Sequence, residues 1–124
     1  MIITLPFPDS RLLPNKRLHY MALYKAKKEA KLHGQVAALE EMVSYEVGTW
    51  EPIESCTIKY TWFPPDNRRR DEDNYVAAMK PYLDGIVKAR LLRDDSPQVI
   101  KHSERGFGPV DKANPRTEIE IKVA

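Results

Sequence analysis

The fold of this chain is decided by the stretch Cys56-Thr57-Ile58-Lys59-Tyr60-Thr61-Trp62. In it, side chains suited to a buried face alternate with polar side chains. Successive side chains of a β-strand point to opposite faces, so this period of two predicts a strand over 56–62. Pro64 and Pro65 follow immediately and end it, because proline cannot donate a hydrogen bond to a ladder. The predicted buried face comprises Cys56, Ile58, Tyr60 and Trp62.

Three more strands are predicted outside this stretch. Residues 2–5 form a short β-branched run that ends at two prolines. Residues 98–104 are predicted to form a third strand. The segment 105–116 is rich in Gly and Pro and is predicted to be a mobile loop. The alternation over 117–123 predicts the last strand, whose inward side chains would be Ile119, Ile121 and Val123.

Two helices are predicted between the strands. Good helix formers dominate 18–47, where Leu32, Val36, Leu39 and Val43 share one helical face. A second helix over 74–89 has a core stripe formed by Tyr75, Met79, Leu83 and Ile86, and Pro81 is expected to kink it. The chain is therefore predicted to be α+β, with a four-stranded mixed sheet and two main helices packed on it in one domain, 1–124.

Composition narrows the class of protein. With 42% hydrophobic and 31% charged residues, the chain has the composition of an ordinary soluble domain. Cys56 is its single cysteine, which excludes a disulfide framework and a cysteine-rich zinc site. We identify no signal peptide and no apolar run near the roughly 20 residues that span a bilayer, so a cytoplasmic protein without a membrane partner is expected.

A charged cluster follows the central strand: Arg68-Arg69-Arg70-Asp71-Glu72-Asp73-Asn74. If residues 68–73 are extended, Asp71 and Asp73 converge on one side and Glu72 points away. Converging carboxylates are costly without a cation between them, and Mg²⁺ is often held by one or two carboxylates, waters and a substrate phosphate. Since the arginines attract phosphate, the cluster predicts metal-assisted phosphodiester cleavage.

The same cluster has a structural interpretation. Asp73 and Asn74 stand at the start of an apolar-periodic run, where Asp or Asn is the usual helix N-cap. Acidic residues near a helix start also offset the macrodipole. The arginines would then belong to a solvated loop and pair with neighbouring carboxylates. The heptapeptide alone leaves both interpretations open.

Further along the chain, Lys80 and the pair Asp94-Asp95 extend the candidate site. Lys80 lies about two helical turns after Asp73 on the same face, where its ammonium can stabilise charge on a scissile phosphate. The alternative is an i,i+4 surface pair between Lys80 and Asp84. Asp94 and Asp95 occupy the loop after the second helix, and only the fold can bring them back to Asp71.

Basic residues cluster at 16–31 and 68–70, although the formal net charge is only +2. Positive charge in the first half of the first helix is unfavourable because it opposes the helix macrodipole. Contact with nucleic-acid phosphates would explain its presence there. A solvated face is the commoner alternative. The candidate DNA-binding residues are Lys16, Arg17, Lys25, Lys28, Arg68, Arg69 and Arg70.

The ordered motifs resemble those of the RusA family of Holliday-junction resolvases, small endonucleases common in phages and prophages. The resemblance covers most of the chain, including the strand Ile3-Thr4-Leu5-Pro6 and the proline-rich loop after it. An isolated Asp-x-Asp is a weak signal, whereas the ordered set is specific. It consists of Arg70-Asp71-Glu72-Asp73-Asn74, Lys80-Pro81-Tyr82-Leu83-Asp84-Gly85-Ile86 and Leu92-Arg93-Asp94-Asp95.

The resemblance implies a homodimer that binds four-way DNA junctions and cuts two strands symmetrically with Mg²⁺ or Mn²⁺, in DNA recombination and repair. It also implies a role for each residue. Lys80 lies farther after Asn74 than the corresponding lysine does in the family. Three extra helical residues would rotate its position by about 300° around the helix axis, within a turn of the original face. The implied roles are catalytic metal ligand for Asp71, Asp73 and Asp95, catalytic lysine for Lys80, and supporting neighbour for Asn74 and Asp94.

Two other function classes remain as alternatives. A non-catalytic module that binds DNA junctions or other nucleic acids would use the same basic patches without turnover. A metal-dependent phosphohydrolase acting on nucleotides would also need carboxylates, but the sequence has no Gly-rich phosphate loop and no base-binding motif.

Overall fold

The computed structural model describes residues 1–14, 18–44 and 50–124. Its strands form one mixed sheet in the order β1-β4-β2-β3, in which β4 is antiparallel to β1 and β2, and β3 is parallel to β2. The predicted α+β class with a four-stranded mixed sheet is confirmed. The elements are β1 (Ile2–Pro6), a 3-10 helix (Ser10–Leu12), α1 (Tyr20–Val43), β2 (Cys56–Phe63), α2 (Glu72–Ala78), α3 (Lys80–Lys88), β3 (Ile100–Phe107) and β4 (Arg116–Val123).

The strand β2 lies inside the sheet and supplies much of the core. All four residues of its predicted inner face are buried. On the neighbouring β4, Ile119 and Ile121 are buried as predicted, but Val123 is exposed. The inward prediction for Val123 is wrong because this residue pairs with Cys56 at the very end of the ladder, where little of the core remains to cover it.

The helices α1 and α3 pack with their backbones in direct contact. A Cβ atom at Gly34 would lie 2.1 Å from the carbonyl oxygen of Tyr82. A Cβ atom at Gly85 would lie 1.9 Å from the carbonyl oxygen of Lys31. Only glycine fits at these two crossing points. The buried face of α1 is accordingly made of small residues: Ala26, Ala30, Gly34 and Ala38.

Four larger apolar residues of α1 lie on the side of the helix opposite the buried small residues. They share one face as predicted, but all are exposed. The reason is the close approach of α3, which admits only small side chains on the inner face. Residues 45–47 of the predicted helix lie outside the described residues. We call the exposed set the apolar row: Leu32, Val36, Leu39 and Val43.

The second predicted helix is two helices, which corrects the prediction of one kinked helix over 74–89. α2 ends at Ala78 and α3 begins at Lys80, with Met79 between them. Pro81 is the second residue of α3 and has no N–H to donate to the carbonyl of Ala77, so a continuous helix is interrupted here. Among the described residues, no helix combines the length and apolar character needed to cross a membrane.

β3 extends beyond its predicted end. The strand runs to Phe107 because its parallel register with β2 continues as far as the pair formed by Trp62 and Phe107. Arg105 therefore belongs to a strand, which corrects its assignment to a mobile loop. The extension of β3 places Arg105 at the edge of the sheet, opposite Tyr60.

Candidate acidic site and its basic flanks

Asp71 is the N-cap of α2, and Asp73 lies in the first turn of the same helix. The side-chain Oδ1 of Asp71 accepts a hydrogen bond of 3.0 Å from the backbone N–H of Asp73. The condition of an extended chain through residue 73 is therefore not met, because the helix begins at Glu72. The two aspartates nevertheless line the same cleft of about 1080 Å³, together with Asn74 and the three arginines. We call it the arginine cleft.

The three arginines of this cleft are not equivalent. The Arg70 guanidinium donates a 2.8 Å hydrogen bond to the Asp66 carboxylate and others to the backbone carbonyls of Asp66 and Arg68. Its side chain also lies over the ring of Phe7. Arg70 thus holds the loop together. Arg68 and Arg69 are exposed, so their guanidinium groups are accessible to a phosphate.

Lys80 bridges two carboxylates. Its Nζ donates a 2.8 Å hydrogen bond to Asp84, which is the i,i+4 pair anticipated from the sequence, and a second, short one to Asp95. These bonds, with Asp84 contributing first and Asp95 second, raise the pKa of Lys80 above its ordinary value. The ammonium therefore stays charged at neutral pH.

The loop that carries Asp95 is fixed by the end of α3. Arg90 has a positive φ of 70°, and the Leu91 N–H donates to the Ile86 carbonyl at 3.3 Å, which together form a Schellman-type C-cap. Leu92 then forms a β-bridge with Ile53. Asp94 accepts a 2.9 Å hydrogen bond from the backbone N–H of Asp95. This hydrogen bond fixes the turn, and the turn returns Asp95 to Lys80.

Arg105 is the site residue that sequence reasoning missed. Its guanidinium donates a 2.8 Å hydrogen bond to the Asp73 carboxylate. It also lines both the arginine cleft and a smaller pocket of about 370 Å³ that contains Lys80, Asp95 and Tyr60. We call the second cavity the Asp95 pocket. The two cavities adjoin at Arg105, which no motif in the sequence indicated.

An aromatic cluster supports the floor of the site. Tyr75, two residues after Asp73, packs against Phe7, Trp62 and Phe107 with ring centroids 5.3–5.8 Å apart. Because α2 has only seven residues, this packing rather than helix propensity fixes its position. Tyr60 is buried beneath the Asp95 pocket, and burial, with the charge of Asp95 as a smaller cause, raises the pKa of its phenol.

The donor types present fit a hard divalent cation, although the described residues do not gather a complete set. Asp71 and Asp73 bring carboxylate oxygens to one cleft, and Mg²⁺ is often bound by one or two carboxylates with waters. Asp95, the third predicted ligand, lies in the adjoining pocket. Within the described part of the chain, no three His, Cys, Asp or Glu side chains form a group that could hold a metal ion.

The predicted DNA-binding lysines that the structure describes lie on α1 and do not line the two acidic cavities. Lys25 and Lys28 are exposed on the first half of α1. Lys28 lines a third cavity, between α1 and α3, which also contains Lys80. Lys16 and Arg17 lie outside the described residues.

Comparison with known proteins gives a relative without an assigned activity. No family model matches the chain. A protein of Xylella fastidiosa (strain Temecula1 / ATCC 700964), described as an uncharacterized protein, is 36% identical over 93 residues. The match covers 74% of this chain and 59% of the relative, so the chain spans less than two thirds of that protein. The resemblance to the RusA family therefore stays a prediction.

Proposed function

We propose that this protein is a metal-dependent DNA endonuclease of the Holliday-junction resolvase type, similar to the RusA family, acting in DNA recombination and repair. One observation carries the proposal. The carboxylates of Asp73 and Asp95, which are distant in sequence, line adjoining cavities that share Arg105. Exposed arginines flank these cavities on one side and lysines on the other. This arrangement is suited to binding a phosphodiester across acidic groups.

Each side chain has a task in this proposal. Asp71, Asp73 and Asp95 would hold Mg²⁺ or Mn²⁺, which would polarise the phosphate and supply an activated water. The charged ammonium of Lys80 would stabilise the negative charge that develops on the phosphate oxygens. Asn74 and Asp94 would support the carboxylates beside them. The exposed arginines would bind the phosphate backbone independently of base sequence, so binding would be sensitive to salt. The single buried thiol, Cys56, is compatible with activity in a reducing cytoplasm.

We infer that the active form is a homodimer paired through the apolar row of α1. Exposed large apolar residues contiguous on one helix face are typical of an interaction surface. Lysines occupy the first half of α1, whereas Glu40 and Glu41 lie near its end. In an antiparallel pair, Lys25 of each helix, which does not line the cavity between α1 and α3, would lie beside the partner's glutamate-containing half. A two-fold dimer of this kind is self-complementary and would present two acidic sites to a symmetric junction.

A non-catalytic module that binds nucleic acid is the second candidate, and a specific observation favours it. Asp71 caps a helix, Asp73 pairs with Arg105, and Asp95 pairs with Lys80. Every proposed metal ligand thus has a partner in the protein. In this candidate the carboxylates would stabilise the fold, and the basic residues would bind the DNA.

The deciding experiment is cleavage of a labelled four-way junction and of a linear duplex with the same sequence, in Mg²⁺, in Mn²⁺ and in EDTA. The endonuclease proposal expects paired symmetric nicks in the junction alone, abolished by EDTA. Junction binding without cleavage in either metal would favour the binding module.

The variant Asp71→Asn separates capping from metal binding, since Asn is as good an N-cap as Asp. We expect it to keep its stability and junction binding and to lose cleavage. Glu72→Gln removes the same charge from the next position and is the matched control, which should cut normally. Full cleavage by Asp71→Asn would show that Asp71 is not a ligand.

A further inference from the structure

A groove between α1 and α3 concentrates positive charge beside the acidic centre. It has a volume of about 620 Å³ and continues the series of cavities, because Lys80 lines both this groove and the Asp95 pocket. We call it the lysine groove. Its basic residues, three from α1 and two from α3, are Lys27, Lys28, Lys31, Lys80 and Lys88.

Most of this charge has no salt-bridge partner in the part of the chain that the structure describes. Among the described residues, the lysines that form salt bridges are Lys80 and Lys122. The other four lysines of the groove are exposed and form no salt bridge with residues 1–14, 18–44 or 50–124. Asp84, the acidic residue in the groove, is already bound to Lys80 at 2.8 Å.

The arrangement is unfavourable for the helix alone. Lys27 and Lys31 are like charges at i,i+4, a spacing that destabilises an exposed helix. The lysines also lie in the first half of α1, where positive charge opposes the macrodipole. The contact of Gly85 with the Lys31 backbone holds the lysines of the two helices along one groove. An anionic ligand is therefore the natural occupant.

We propose that the lysine groove binds the sugar–phosphate backbone of DNA on the side of the acidic centre opposite the exposed arginines. This proposal rests on the proposed function, which makes the acidic centre the point of cleavage. Tyr24 lines the groove and is 63% exposed, so an unpaired base beside the backbone has an aromatic ring on which to stack. That combination of lysines with an exposed ring favours a nucleic acid over a lipid surface.

The test is the triple variant Lys27→Gln, Lys31→Gln, Lys88→Gln, assayed for binding to a labelled four-way junction and a labelled single strand in EDTA. The slope of log affinity against log salt should fall in magnitude by about 2–3, which is three phosphate contacts at 0.7–0.9 each. We expect affinity at low salt to drop roughly tenfold or more. Replacing the same lysines with arginine should retain both affinity and slope.

The matched control is the triple variant Lys59→Gln, Lys101→Gln, Lys112→Gln, which removes the same charge from exposed positions outside the groove. It should bind nearly as the native protein does. Native affinity and slope in the groove variant, or an equal loss in the control, would overturn the proposal. The proposal would also be overturned if the groove variant lost binding to phosphatidylserine vesicles while its DNA binding stayed unchanged. Binding is measured in EDTA and therefore does not depend on cleavage. If the groove variant binds DNA more weakly and the native protein does not cut junctions in Mg²⁺ or Mn²⁺, the lysine-groove proposal is supported and only the endonuclease proposal is refuted.

Discussion

The backbone contact between α1 and α3 can be tested by adding one methyl group. In Gly85→Ala the new Cβ would lie 1.9 Å from the Lys31 carbonyl oxygen and 2.7 Å from the Gln35 nitrogen. Both neighbours are backbone atoms, so no side chain can rotate away, and the helices must separate by more than 1 Å to reach an ordinary contact of about 3.5 Å. Overpacking of this kind costs about 1–3 kcal/mol or more, while the better helix propensity of alanine returns about 1 kcal/mol.

We therefore expect a net loss of about 2 kcal/mol in the free energy of unfolding, because the buried alanines of α1 also lose contacts when the helices separate. Urea denaturation followed by circular dichroism measures this value, and a thermal scan should show the midpoint lowered by roughly 5–15 °C. Gly106→Ala is the control, since a Cβ there meets no atom within 4 Å. Equal stability of Gly85→Ala and the native protein would refute the close packing of the two helices.

Three further predictions follow from single residues. Asp71→Ala, which removes the N-cap of α2, should lose about 1 kcal/mol in urea denaturation, whereas Asp71→Asn should not; equal losses would argue against the cap. Arg90→Gly relieves a residue held at φ 70°, so the free energy of unfolding should rise by about 0.5–1 kcal/mol, and a fall would contradict the αL assignment. Val36→Lys puts a charge in the centre of the apolar row and should convert a dimer to a monomer in analytical ultracentrifugation, whereas an unchanged dimer would place the interface elsewhere.

Sequence patterns predicted those parts of the fold in which one face is buried and the other is not. The alternation over 56–62 fixed β2 and its buried face, because a shift of one residue would expose Trp62 and Ile58. In α1 the apolar periodicity predicted a helix and the shared face of its Leu and Val residues, but the buried face is a different one, which repeats Ala and Gly every fourth residue from Ala26. That repeat is visible in the sequence and is the signal of close helix packing.

The candidate site was less predictable because its geometry depends on long-range contacts. Asp71 and Asp73 were identifiable from their spacing, although a helix start rather than an extended chain brings them to one cleft. The return of Asp95 to Lys80 depends on the turn at Arg90, a conformation that the sequence does not favour for arginine. The contact of Arg105 with Asp73 depends on how far β3 pairs with β2. Neither feature has a local pattern.

The ion pairs within the site do not decide against a metal. The Arg105 and Asp73 side chains are 46% and 79% exposed, and exposed pairs of this kind are typically worth about 0–1 kcal/mol. By contrast, an ion present at a hundred times its dissociation constant stabilises the bound state by about 2.7 kcal/mol. A divalent cation at that ratio of concentration to dissociation constant would therefore displace Arg105 from Asp73 and leave its guanidinium at the junction of the two cavities. There it would be placed to bind the phosphate that the metal attracts, so the contact that satisfies Asp73 in the free protein is compatible with catalysis.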